Sequence, residues 1–278
     1  MDFDARDVQR WLSRHLVSMV HIYRHLDANG NLQGDSLISA SSCFVMSFGE
    51  RWFLVTAGHV LKELEELLEH PRVRLIQSCL IDALGSDAIH NSNLPFTYDK
   101  SNRFYIDQDG LDFGLIPLSH NHRQLLEANR VVPVAVENWI NQDIDRCHGF
   151  LLLGIPVDWV SHAQSPGGYR LGIETLLVSI KRLTEPPPRA ETTMYERFIG
   201  DLTKPADMQH GLEGTSGGPI FGFYDDDNGQ LRYWIVALQS SCLDKRYVFG
   251  CPVKLFGNHL LARLLDYAKS NEGIPLPD

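Results

Sequence analysis

The sequence predicts an all-β fold, a barrel or sandwich, with one helix at each end. Three observations carry this. Short apolar segments rich in β-branched and aromatic residues recur from residue 17 to residue 253. Turn residues separate them at the spacing of consecutive strands. Helical spacing of apolar residues is confined to the two ends and to one short stretch, 60–69.

Taken in order, Val8, Trp11, Leu12 and Leu16 line one face of an N-terminal helix within residues 1–16. Val17 to Tyr23 is made of strand formers, and Asp27-Ala28-Asn29-Gly30-Asn31 supplies a turn. Cys43 to Phe48 and Arg51 to Thr56 flank Gly49-Glu50 and read as a hairpin. Val73–Leu80, Phe104–Ile106, Phe113–Leu118, Val131–Val136, Phe150–Ile155, Leu176–Ile180, Ile220–Phe223, Tyr233–Leu238 and Tyr247–Val253 follow as strands. The breaks among the later ones are Pro166-Gly167-Gly168, Pro186-Pro187-Pro188 and Asp225–Gly229. Leu260, Leu261, Leu264, Leu265 and Ala268 give the stripe of a C-terminal helix over 256–270. No internal repeat or low-complexity linker divides the 278 residues, so a single domain is expected.

Composition narrows the function. Apolar residues make up 44% and charged residues 22%, an ordinary globular balance. Thirty-five Asp and Glu against 25 Lys and Arg leave a net charge of −10, which argues against sequence-independent nucleic-acid binding. No apolar run reaches the ~18–20 residues that cross a bilayer, and Met1-Asp2-Phe3-Asp4 has acids where a secretory leader needs basic residues. A soluble cytoplasmic protein with no membrane partner is expected. Five cysteines (Cys43, Cys79, Cys147, Cys242 and Cys251) in no C-x-x-C spacing signal neither a disulfide framework nor a zinc knuckle.

Three segments carry chemistry together. Leu54-Val55-Thr56-Ala57-Gly58-His59 delivers a histidine at the end of a strand. Leu111-Asp112-Phe113-Gly114-Leu115 opens another strand with an aspartate. Gly211-Leu212-Glu213-Gly214-Thr215-Ser216-Gly217-Gly218-Pro219 sets a serine in a glycine-dense loop. A serine hydroxyl is a poor nucleophile at neutral pH and needs an adjacent base. Histidine titrates near the working pH and suits that task, and a carboxylate on its other nitrogen fixes the tautomer. Glycines let amide N–H groups converge on one point, where they stabilise an oxyanion. His59 and Glu63 form no H-E-x-x-H metal motif, and neither a metal nor another cofactor is expected. His70, His120 and His122 stand in polar stretches and read as solvated.

In the order His, Asp, Ser, these T-A-G-H, D-x-G-L and G-x-S-G-G-P segments resemble the chymotrypsin/trypsin-like serine peptidases over roughly residues 17–268. The resemblance implies two six-stranded antiparallel β-barrels, residues 17–136 and 146–255, with the site between them. It implies His59 as general base, Asp112 as its orienting acid, Ser216 as nucleophile, and the amides of Gly214 and Ser216 as oxyanion hole. His210, Ser240, Ser241, Cys242 and Gly250 would border the substrate. His210 is not an acid, so a preference for Arg or Lys lacks its usual countercharge. Thr215 stands where secreted members carry the Asp that pairs with a newly cleaved N-terminus, so activation by such cleavage is not expected. The expected function is an endopeptidase acting on protein or peptide, either constitutively active or latent until a separate regulatory protein orders it. Intracellular relatives with stress or defence roles fit that pattern. The alternative is a catalytically silent double barrel that binds proteins.

Overall fold

The structure is a computed structural model that describes residues 4–84, 93–140, 142–166, 168–202 and 211–259. Helix α1 (Ala5–Ser13) starts on Asp4, whose carboxylate accepts the Arg6 amide at 3.0 Å. Leu12 buries fully, and Trp11 stands edge-on to Tyr233 with ring centroids 4.9 Å apart. Gln9 donates to the Thr175 carbonyl at 2.6 Å. The helix thus docks on the C-terminal half of the molecule before the chain enters the N-terminal half.

That N-terminal half is a sheet of seven strands. They are β1 (Leu16–Leu26), β2 (Leu32–Phe48), β3 (Arg51–Thr56), β4 (Val73–Asp82), β5 (Leu94–Pro95), β6 (Phe104–Gln108) and β7 (Leu111–Pro117). Their order is β5-β4-β1-β2-β3-β7-β6, antiparallel throughout. The C-terminal half is a closed barrel of six. These are β8 (Gly149–Gly154), β11 (Leu176–Arg182), β12 (Phe198–Leu202), β13 (Pro219–Asp225), β14 (Leu231–Leu243) and β15 (Tyr247–Pro252), with the hairpin β9 (Val160–Ser165) and β10 (Gly168–Ile173) set apart from it.

The expectation of two six-stranded barrels therefore holds for one half only. The seven-stranded sheet does not close, because helix α2 (Gly58–Glu69) packs against β4, β6 and β7 where a closing ladder would run. Glu65 of α2 receives the hydroxyl of Tyr98 at 2.8 Å and Nε of Arg103 at 2.6 Å, tying the chain on the β6 side to the helix. Along β14, Tyr233 to Ser240 are buried while both ends are exposed.

Two further expectations need correction. Val131–Val136 forms no strand. Pro133 lacks the N–H that a ladder needs, so the segment makes a single bridge, Val134 with Met46, and then enters a 3₁₀ turn at Val136–Asn138. Helices are not confined to the two ends and 60–69 either: His120–Ala128 forms a third helix, α3, capped by the Ser119 hydroxyl, and His120 on it is exposed, as expected. At the C-terminus residues 253–259 are helical, and the stripe from Leu260 onward lies outside the described residues.

The main apolar cluster joins the two halves. Phe113 of β7, Phe221 of β13 and Phe256 of the last helix are all fully buried in it, and Phe113 stacks on Phe256 at 5.2 Å. Burying side chains of this size is worth roughly 1.5–3 kcal/mol each. The two halves accordingly share one core, and the end of β3 meets the loop before β13, where Gly217 stands against Thr56.

Candidate active site

His59 is the second residue of α2, immediately after the strand β3 that delivers it. Gly58 makes this possible: a Cβ there would stand 1.9 Å from the carbonyl oxygen of Ile106 and 3.1 Å from Asp112 Oδ1. Only a residue without a side chain lets the helix start so close to β6. Asp112, second in β7 and 8% exposed, then reaches His59 twice. Its Oδ2 accepts from ring Nδ1 at 2.8 Å and its Oδ1 from the His59 backbone N–H at 3.0 Å.

This fixes the tautomer. Nδ1 carries the proton toward Asp112, and Nε2 makes no hydrogen bond among the described residues. Burial pulls the imidazole pKa down, but the hydrogen bond and charge of Asp112, helped by the charges of Glu63 and Asp107, outweigh it and leave the value raised above 6.5.

Ser216 lies in the turn before β13. Its Oγ donates to the Ser240 backbone carbonyl at 3.5 Å and makes no hydrogen bond to His59. The loop around it is fastened from both halves. Ser42 of β2 donates both its amide, at 3.1 Å, and its hydroxyl, at 2.9 Å, to the Gly214 carbonyl. Thr215, fully buried, donates its hydroxyl to the Leu212 carbonyl at 2.7 Å and lies 3.3 Å from Gln239 Oε1. Gly217 donates to the Gln239 carbonyl at 2.8 Å. The amides of Gly214 and Ser216 donate to no acceptor among the described residues.

His59, Asp112, Ser240 and Ser241 line one cleft of about 460 Å³. Of the other expected substrate-bordering residues, Cys242 is exposed on β14 opposite Val248, and Gly250 sits inside the barrel against Ile220 and Ala237. Neither lines this cleft. His210 lies outside the described residues.

The cleft also holds residues that sequence reasoning missed, namely Asp107, Asp109, Glu191, Thr193 and Arg197. The acidic turn ahead of Asp112 is legible as a turn, but nothing in the sequence says that it faces His59. Residues 191–195 reach it by packing on that turn: the Tyr195 amide donates to the Asp109 carbonyl at 3.1 Å. Arg197 donates to the Glu191 carbonyl at 2.7 Å and lies 4.4 Å over the Phe249 ring.

No pair of cysteines is bridged, and burial pushes the thiols of Cys43 and Cys251 up to about 12, which makes them inert. Among the described residues no group of three or more His, Cys, Asp or Glu is placed to hold a metal ion. Nor is any helix among them long and apolar enough to cross a membrane.

No protein-family model matches the sequence, and no curated protein does. Among solved structures the chain is similar to Deg5, with 15% identity, TM-score 0.44, and 93% of this chain and 95% of that one covered. It is also similar to AL20, a thermostable serine protease from an extremophilic microorganism, with 12% identity, TM-score 0.41, and 87% and 92% covered.

Proposed function

We propose that the protein is a serine endopeptidase in which Ser216, His59 and Asp112 act as a triad. The observation that carries this reading is the pairing of His59 with Asp112, which leaves Nε2 unprotonated, unpartnered and facing a cleft. Ser240, whose carbonyl receives the Ser216 hydroxyl, lines that same cleft.

In this mechanism rotation of the Ser216 side chain off the Ser240 carbonyl brings Oγ to His59 Nε2. Such hydrogen bonds are commonly loose before substrate binds. Oγ attacks the scissile carbonyl carbon while Nε2 takes its proton. The carbonyl oxygen becomes an oxyanion held by the free amides of Gly214 and Ser216, each such donor being worth roughly 2.7–4 kcal/mol in the transition state. His59 then gives the proton to the leaving amine, and the acyl group stays on Ser216 as an ester. Water, deprotonated by His59, releases it by the reverse sequence. Asp112 stays ionised and stabilises the imidazolium.

The Ser216–Ser240 hydrogen bond favours a second reading, a catalytically silent binding module or a peptidase held latent until a regulatory protein frees the hydroxyl. One experiment separates these. A fluorophosphonate serine-hydrolase probe labels the wild type but neither Ser216→Ala nor His59→Ala if the triad operates. Labelling that survives in Ser216→Ala overturns the assignment, and an unlabelled wild type supports latency or silence.

A further inference from the structure

Strand β4 has an outer edge that its neighbour covers only in part. β5 pairs with it at Cys79 and Leu80, and the Phe96 amide adds one bond to the Ser78 carbonyl at 3.1 Å. The chain then turns away to α2, where Tyr98 meets Glu65. From Arg74 to Gln77 the backbone of β4 is paired with β1 alone among the described residues. Its outward N–H and C=O groups are a free template for another strand.

The two faces of this edge differ. A bulge leaves Ile76 without an opposite residue in β1. Leu75 and Ile76, 40% and 41% exposed, open on a cavity of about 370 Å³. Leu68, Phe96 and Tyr98 supply its other apolar walls, and no described Asp, Glu, Lys or Arg lines it. The space is several times the ~30 Å³ share of one water, room for a large apolar side chain.

The other face is basic. Arg74 stands directly opposite Arg24 of β1, and Arg72 immediately precedes the strand. Like charges placed across a strand pair repel, yet none of the three arginines is in an ion pair among the described residues. Of the carboxylates around them, Asp27 is bound by the amides of Asn29 and Asn31, and Glu69 by Lys100. That leaves Asp35 of β2, across from Arg24. In a chain of net charge −10 this corner carries a local excess of positive charge.

We propose that the edge docks an extended peptide segment of a partner protein, which adds to β4 as a strand beyond Ser78. Main-chain hydrogen bonds supply affinity, and alternate side chains supply selectivity. Successive side chains of a strand point to opposite faces, so the segment alternates in character. An apolar side chain enters the cavity, and its acidic neighbours face Arg74 and Arg24. A nucleic acid would meet the arginines but leave the open backbone and the cavity unused. Leu68 lies at the opposite end of α2 from His59, roughly 13 Å along the axis, so the edge is separate from the candidate active site.

Fluorescence anisotropy of the full chain with a labelled EVDLEVD peptide tests this. Two further peptides carry N-methyl groups on alternate backbone nitrogens, one in each register. Only every second amide of an added strand faces β4, so one methylated peptide binds like the parent and the other loses about tenfold or more. Arg74→Glu, an exposed change, weakens the acidic peptide about three- to tenfold and favours a KVKLKVK peptide instead. Equal binding of the two methylated peptides overturns the proposal, as does equal binding of acidic and basic peptides by the wild type. An absence of saturable binding means that the bulge and the arginines only guard the edge, and overturns it too. Sedimentation of the chain alone is expected to give a monomer. A dimer that Arg74→Glu dissolves would put a second copy on the edge and overturn the peptide assignment.

Discussion

Asp112 holds His59 at two points at once, its Oδ2 on ring Nδ1 at 2.8 Å and its Oδ1 on the backbone N–H at 3.0 Å. One carboxylate thereby sets both the tautomer of the imidazole and the place where α2 begins. Replacing it by an amide separates the two tasks. In Asp112→Asn the side-chain oxygen still accepts the backbone N–H, but the imidazolium loses its countercharge. Peptidase turnover is expected to fall by roughly 10⁴-fold, while the thermal midpoint changes little. Turnover within tenfold of wild type would deny His59 and Asp112 their assigned roles.

The pH profile follows from the same pair. His59 acts as a base only when Nε2 is unprotonated, so kcat/KM rises with pH through the His59 pKa. Because that pKa is raised, the midpoint of the rising limb lies above 6.5. Glu63 and Asp107 contribute to the rise through their charges, so Glu63→Gln and Asp107→Asn each move the midpoint to lower pH. A midpoint at or below 6.5 in the wild type contradicts this balance.

Of the glycines described, Gly217 lies closest against the opposite half. A Cβ on it would lie 2.2 Å from Thr56 Oγ1 and 2.3 Å from the Ser42 carbonyl, at φ +88°. Gly217→Ala is therefore expected to destabilise the fold by more than about 3 kcal/mol, combining backbone strain with overpacking. Gly229→Ala serves as the control, since Gly229 has φ +70° with nothing within 4 Å. Strain alone costs it roughly 1–2 kcal/mol. Urea denaturation of both variants reads the difference, and equal losses would mean that the loop relaxes around the methyl group.

Two buried histidines make the fold acid-sensitive. His15 donates Nδ1–H to the Val132 carbonyl at 2.6 Å and accepts the Tyr233 hydroxyl at 2.7 Å on Nε2. Burial lowers the pKa values of His15 and His21 to about 4. Between pH 6.5 and 4 the unfolded chain binds protons that the folded one refuses, so stability is complete above 6.5 and drains away as the pH falls. Each group accounts for roughly 3 kcal/mol over that window. Urea midpoints at pH 7, 6 and 5 should decline in the wild type and decline less steeply in His21→Leu. Parallel slopes in the two proteins would remove His21 from this account.

The features legible in the amino-acid order are local. The apolar run Tyr233 to Leu238, the hairpin at Gly49-Glu50 and the stripe of Val8, Trp11 and Leu12 follow from side-chain patterning and turn chemistry, which need no distant partner. The three site segments are legible for the same reason, since each is a short motif in a strand or turn context, and the strand end before His59 also supplies its geometry through Gly58. What lies between such segments depends on how the folded chain packs. The first sheet stays open because α2 folds back into its seam, and Val131–Val136 leaves the sheet because Pro133 offers no donor there. Arg197 and Glu191 join His59 because residues 191–195 pack on the turn at Asp109. The Ser216 hydroxyl points to the Ser240 carbonyl because β14 runs past the loop. These outcomes depend on which surfaces of remote segments fit together, and neither spacing nor composition encodes that fit locally.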